Sequence, residues 1–399
     1  MTEEGGGTRR RGSSPAAPAS LPDDEDLLRE ILLRLPPQPS SLVRASAVCK
    51  RWRRLATDPK FLNCFRAHHR KPLLLGYFGL GEDDSIVFNP VLDPPDRIPP
   101  ERFSLRSYSR RHRENYVLGC RHGLVLVKCR SRKEVAVCEP ISGEQRHVAV
   151  PLELQTGSIS LNGAVLCAAS DHGHVHGGCH SSPFKVVLVS ISLDNRPLAC
   201  VYSSETGIWG NLISTAAPCM LDDSGFPSTL VGNALYWLDS SNGILEFDLD
   251  GESLSVITGP PTIDDLPNDG IQIIQAEEGD VCLVIFYYPS IQIWQRKVNC
   301  HGVATWLLRK SVDMHNIIGL HPQIEGWVGG YILGYVEDID VIFICIDSNF
   351  YMVQLKSMQF KRLHRIEYIV YCYPFTSFYT PAIFLIGQCR IKCQILGCA

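Results

Sequence analysis

The sequence has no uninterrupted apolar run approaching the roughly 18 residues of a membrane-spanning helix. Its first residues, including Glu3, Glu4 and Arg9 to Arg11, lack the apolar core of a secretory signal. No charge of one sign dominates: 38 Lys and Arg face 42 Asp and Glu, for a net charge of −4. Broad attraction to nucleic acid or another polyanion is therefore not expected. Paired cysteine spacing is missing too. Sixteen cysteines are scattered singly, mostly inside apolar runs such as those around Cys138, Cys167, Cys282 and Cys345. They read as buried free thiols in a reducing compartment, cytosol or nucleus. There is no Walker phosphate-binding pattern, no Gly-x-Ser-x-Gly elbow and no spaced zinc-ligand quartet. An intrinsic catalytic centre has little support, and no cofactor and no membrane association are expected.

What is present changes character near residue 70. Residues 1–20, with Gly5 to Gly7 and a stretch of Ser, Pro and Ala, offer little to bury and read as a disordered leader. From Leu21 to about His69 the apolar period is helical. Beyond residue 72 short runs rich in β-branched and aromatic residues take over: Leu124–Val127, Val135–Cys138, Val186–Ile191, Ala234–Leu238, Ile244–Phe247, Val281–Tyr288 and Val341–Ile346. Turn signals at Ser142-Gly143, Glu205-Thr206-Gly207, Asn242-Gly243 and Asp250-Gly251 point to antiparallel hairpins. A weak repeat, with Gly123, Gly163 and Gly232 each opening a strand, recurs every ~40 to 65 residues, as the blades of a β-propeller would. A β-sandwich is the alternative. Charge divides along the same line: residues 1–71 carry 14 Lys and Arg against 8 Asp and Glu, so the front is basic and the body acidic.

In the helical part, Leu27, Ile31 and Leu35 lie at i, i+4 and i+8, with Leu28 and Leu32 beside them, giving a broad apolar stripe. Asp23, Asp24, Glu25 and Asp26 supply a cap and an acidic first turn, and Pro36-Pro37 stops the helix. Leu42, Ala45, Val48, Trp52 and Leu55 then recur at three- and four-residue spacing beside a basic face of Lys50, Arg51, Arg53 and Arg54. Asp58-Pro59 ends this stretch, and Phe61, Leu62 and Phe65 continue the apolar set. So short a segment has more large apolar side chains than its own core can hide. The surplus packs either on the β-domain or on a partner.

Leu21-Pro22, the run Leu27 to Leu35 and Val48-Cys49-Lys50-Arg51-Trp52 together resemble the F-box. The phrases Cys138 to Gln145 and Val201 to Trp209 are similar to those of plant F-box proteins with propeller-like associated domains. The resemblance implies an α+β multidomain chain: a small three-helix F-box module over 21–69, then a large all-β, propeller-like substrate-recognition domain over 72–379. Residues 380–399 form an atypical tail. It further implies a noncatalytic receptor of a Skp-cullin-F-box ubiquitin ligase, which docks a Skp-type adaptor and, through it, a cullin scaffold. The protein substrate is left unspecified. Carried over by position, Leu21, Pro22, Leu27, Leu28, Ile31, Leu32, Val48, Cys49 and Trp52 are the implied adaptor-binding set. Ala45 and Ala47 stand where many relatives have larger residues. An F-box protein that regulates without promoting degradation is a second reading.

Three other features carry chemistry in principle. His172, His174, His176, Cys179 and His180 are of the right types for zinc or copper, although a solvent loop explains the composition as simply. If they did bind a metal, a β-propeller enzyme would be the competing reading. Arg106, Arg110, Arg111, His112 and Arg113 interleave with Tyr108 and Tyr116 in a phosphate-and-base pattern; the acidic body argues against direct nucleic-acid binding, and a loop entering the β-domain explains them equally well. Trp209, Trp237, Trp294, Trp306 and Trp327 are expected mainly as packing between blades.

Overall fold

The computed structural model describes residues 25–81, 85–103, 105, 115–155, 158–169, 174–179, 182–221, 226–240, 243–261, 270–314, 330–365 and 371–379. The leader, Leu21, Pro22, the Arg-rich stretch at 106–113, His172, His180, Trp327 and the tail lie outside the described residues.

Four helical segments stand where the resemblance implied three. They are α1 (Glu25–Leu33), α2 (Pro39–Ser46), α3 (Lys50–Ala56) and α4 (Pro59–His69). The periodic stretch from Leu42 to Leu55 is broken because Cys49 takes an extended backbone (φ −161°, ψ 170°) and caps α3. The Arg53 guanidinium donates to Ser46 O at 3.4 Å across the break. Proline opens both α2 and α4, where its missing N–H costs nothing. Asp58 caps α4, its carboxylate accepting from Phe61 N–H at 2.9 Å. Leu28, Leu32, Leu42, Ala45, Leu55, Ala56, Phe61, Leu62 and Phe65 form the core of this module.

The rest is a six-bladed β-propeller. The chain enters it through β1 (Leu73–Leu80) and β2 (Ile86–Pro90). Four strands follow as one sheet: β3 (Asn115–Arg121), β4 (Leu124–Cys129), β5 (Glu134–Glu139) and β6 (Glu144–Ala149). After the short α5 (Leu152–Gln155) comes a five-stranded sheet of β7 (Ser158–Cys167), β8 (Phe184–Ser192), β9 (Pro197–Ser203), β10 (Ile208–Trp209) and β11 (Ile213–Ser214). The third sheet has β12 (Thr229–Val231), β13 (Ala234–Leu238), β14 (Gly243–Asp248) and β15 (Ser253–Thr258). The fourth has β16 (Ile271–Gln275), β17 (Val281–Tyr287), β18 (Ser290–Val298) and β19 (Ala304–Asp313). The fifth has β20 (Gly330–Val336), β21 (Val341–Ile346), β22 (Asn349–Gln354) and β23 (Phe360–Arg365). The last strand, β24 (Tyr373–Ser377), returns to pair antiparallel with β1, so both ends of the chain build the closing blade. Around the axis β24 borders β3, β3 borders β7, β12 borders β16, β16 borders β20 and β20 borders β24.

Among the described residues, the propeller core is divided into six clusters, one between each pair of neighbouring blades. Alternation along a strand feeds two of them at once. In β21, Val341, Phe343 and Cys345 face the closing blade, while Ile342, Ile344 and Ile346 face the fourth sheet, and all six are buried. A strand covered on both faces reads as a continuous apolar run, which is why β4, β17 and β21 were legible as strands. The repeat reading fails at Gly163, which lies inside β7 and opens nothing. A Cβ there would come 2.7 Å from Leu188 Cδ2 and 2.8 Å from Val187 O, so close strand packing accounts for this glycine. Gly123, at φ +80°, does turn the β3–β4 hairpin.

Tryptophans tie the blades as well as fill them. Trp237 is fully buried between the second and third sheets. Trp209 in β10 donates its indole N–H to Ala149 O in β6 at 2.9 Å, and Trp306 in β19 donates to Thr258 O in β15 at 2.9 Å. Each reaches from an outer strand to the outer strand of the preceding blade.

Candidate functional site

Helix α1 places its apolar stripe on two sides. Leu28 and Leu32 point inward, Leu32 with no exposed surface, and seal the module's own core. Leu27 and Ile31, one turn apart, remain 43% and 41% exposed. Val48 in the α2–α3 break is 61% exposed, Val43 and Cys49 are exposed, and Trp52 is half-buried against the module core. Of the nine implied adaptor residues, four therefore present surface, two are interior, Trp52 is intermediate, and Leu21 and Pro22 lie outside the described residues. Single exposed apolar residues are ordinary, but several in a module this small are not. Two carboxylates of α1 form ion pairs: Arg54 is 3.8 Å from Glu25, and Arg34 pairs with Glu30 at 3.0 Å.

The module rests on one face of the propeller. Ser40 N–H donates to the Asp96 carboxylate at 2.9 Å. Arg66 of α4 lies over Gly178, its Nε 2.7 Å from where a Cβ would stand, and Pro72 packs on Gly177 in the same way. Burial lowers the Arg66 pKa, partly offset by the nearby Cys179 sulfur. Because hairpin turns alternate ends, the opposite face carries the turns at 130–133, 193–196, 288–289 and 347–348.

The propeller axis is closed by a polar clasp. Arg121, at the end of β3, donates from Nε and Nη2 to the two carboxylate oxygens of Glu337 at 2.8 and 2.6 Å. It also donates to Ser228 O at 2.9 Å, and Leu230 N–H donates to Glu337 at 2.7 Å. One guanidinium thus joins the first, third and fifth sheets. Beside it, burial raises the Asp338 pKa, and Thr376 Oγ1 donates to that carboxylate at 2.6 Å. The remaining axial cavity is about 40 Å³, room for only a few waters. It is too small for a substrate.

The β7–β8 connection gathers the His and Cys residues. His174, His176 and Cys179 converge with Cys167, the last residue of β7, so that one ligand atom from each lies within 4.8 Å of all the others. Cys167 was missed because it sits in an apolar run and reads as an interior thiol. The spacing Cys-x6-His-x-His-x2-Cys was the available signal. Hydrogen bonding from Cys179 is the main force lowering the Cys167 pKa well below the usual thiol range, and the same contact, with burial, raises that of Cys179. His122 packs its ring on His176 at 3.8 Å, and burial followed by His176 drives its pKa down to about 2. It is neutral, and its Nδ1 accepts from Cys167 N–H at 3.1 Å.

Comparison with known proteins adds family information. A family model described as the β-propeller of AT5G49610-like F-box proteins matches residues 116–384, and an F-box domain model matches residues 19–64. The F-box protein At1g47765 of Arabidopsis thaliana is 38% identical over 100 residues, which span 25% of this chain and 23% of that protein. Among solved structures, SapL1 lectin in complex with α-methyl fucoside is 10% identical with a TM-score of 0.38, covering 74% of this chain and 98% of that one. The N-terminal domain of Nup159 is 12% identical with a TM-score of 0.33, covering 75% and 80%. At such scores these two likenesses carry no argument.

Proposed function

Because the chain belongs to the F-box proteins with an AT5G49610-like β-propeller, we propose that it is the substrate-recognition subunit of a Skp-cullin-F-box ubiquitin ligase. The family is typically a noncatalytic adaptor, and an F-box implies binding of a Skp-type adaptor. The single observation that carries the docking assignment is the exposed pair Leu27 and Ile31 on a helix whose inner residues already complete the module's core. With Val48 and Cys49 they form the proposed docking set, and the cullin is reached through the adaptor. The target is held by the propeller face opposite the helical module, which carries the turns at 130–133, 193–196, 288–289 and 347–348. Receptor and target then meet a ubiquitin-charged enzyme at raised effective concentration, in the cytosol or nucleus, with transfer chemistry supplied by another subunit.

The test is copurification of a Skp-type adaptor with the full chain. Leu27→Asp/Ile31→Asp is expected to cut recovery by about 100-fold, since apolar anchors at an interface centre dominate its energy. Undiminished recovery from a folded double variant would refute the docking face.

A further inference from the structure

We propose that Cys167, His174, His176 and Cys179 bind one zinc ion, which fixes the β7–β8 loop at the seam between the F-box module and the propeller. Three of the six ligand–ligand separations already match a tetrahedral site, and all six lie within 4.8 Å. With Zn–S of about 2.3 Å and Zn–N of about 2.0 Å, tetrahedral edges are about 3.3 to 3.8 Å. Cys167 Sγ to His174 Nε2 is 3.3 Å, His174 Nε2 to Cys179 Sγ is 3.3 Å, and Cys179 Sγ to His176 Nδ1 is 3.7 Å. Two thiolates and two imidazoles around a tetrahedron select zinc over the oxygen-loving divalent ions. Two thiolates also balance its charge, so the partly buried site becomes neutral once two thiol protons leave.

The surroundings are those of a supported site. Ala169 N–H approaches Cys167 Sγ at 3.5 Å, and His122 stacks on one imidazole ligand. Four protein ligands leave no coordination position open, so the ion is structural.

Its position gives it a task. Between the ligands His176 and Cys179 lie Gly177 and Gly178. The Gly177 carbonyl accepts from Ser377 Oγ at 2.7 Å and Phe378 N–H at 2.9 Å, at the end of the closing strand. Pro72 of the interdomain link packs on Gly177, and Arg66 of α4 lies over Gly178. One ion thereby holds the second blade's loop, the closing blade and the last F-box helix together. This inference does not depend on what the F-box docks.

The experiment is elemental analysis of the full-length chain purified under reducing conditions without chelator, followed by replacement with cobalt(II). About one zinc per chain is expected, with tetrahedral visible absorption and thiolate-to-metal charge transfer from the cobalt form. Cys167→Ser and Cys179→Ser should each lower zinc occupancy at least about tenfold, while exposed Cys300→Ser leaves it unchanged. Zinc removal should also open the 70–72 link to limited proteolysis. A folded wild-type chain that carries less than about a tenth of an equivalent of zinc, and gives no tetrahedral cobalt spectrum, overturns the proposal. So does recovery of a Cys167–Cys179 disulfide in place of metal. Both decisive measurements are made on the wild-type chain, so misfolding of a variant does not blunt them.

Discussion

Helix α1 and strand β21 both carry large aliphatic side chains and use them in opposite ways. In β21 all six side chains are consumed, three by each neighbouring blade. In α1, Leu28 and Leu32 are consumed, while Leu27 and Ile31 are left facing outward. A strand between two sheets has two covered faces, whereas a helix in a small module covers one stripe. Apolar content therefore means core in the propeller and, for the remainder on α1, a surface available to another chain.

That contrast can be broken most directly in β21. Phe343→Ala should cost about 3 to 5 kcal/mol, the range for emptying a packed aromatic site, measured as a shift in the urea midpoint. A loss near zero would mean the inter-blade packing is not what stabilises this half of the propeller. Arg121→Met should cost about 3 kcal/mol, because it strands the Glu337 carboxylate at the axis; adding Glu337→Gln should recover part of it. If the second change makes matters worse, the pair is not coupled as the geometry shows. Trp209→Phe keeps an aromatic ring but loses the indole N–H bond to Ala149, and is expected to lower stability by about 1 kcal/mol. The smallest stability effect per substitution belongs to the helix: Leu27→Asp/Ile31→Asp should lower unfolding stability by only about 1 kcal/mol, read from the urea midpoint, while cutting adaptor recovery about 100-fold. A large destabilisation there would place those side chains in the protein's own core and erase the distinction.

Much of this was legible before any coordinates. Capping and stop residues such as Asp58-Pro59 act within one turn, and β-branched runs such as Val341–Ile346 declare a doubly covered strand without knowing its neighbours. Blade number was not legible, because the repeat survives mainly as turns: Gly123 and Gly232 keep it, whereas Gly163 serves close packing inside β7. The exposed half of the α1 stripe, the proposed docking face, was only partly legible. Spacing marked the stripe on α1 but did not say which half α4 would cover. Cys167 escaped notice since a thiol ending an apolar strand looks interior until the β7–β8 loop folds back over it.

Sequence alone determined where helices start and stop, which runs become strands, and that the helical segment has apolar residues to spare. These are local properties, set by caps, turns and periodicity within a few residues. Only the tertiary structure decided that β24 pairs with β1 to close six blades, that Arg121 meets Glu337 across 216 positions, and that Leu27 and Ile31 stay outside. Each depends on segments far apart in the chain being brought together. Such contacts form only when the packing of the whole propeller offsets the entropy of closing those long loops.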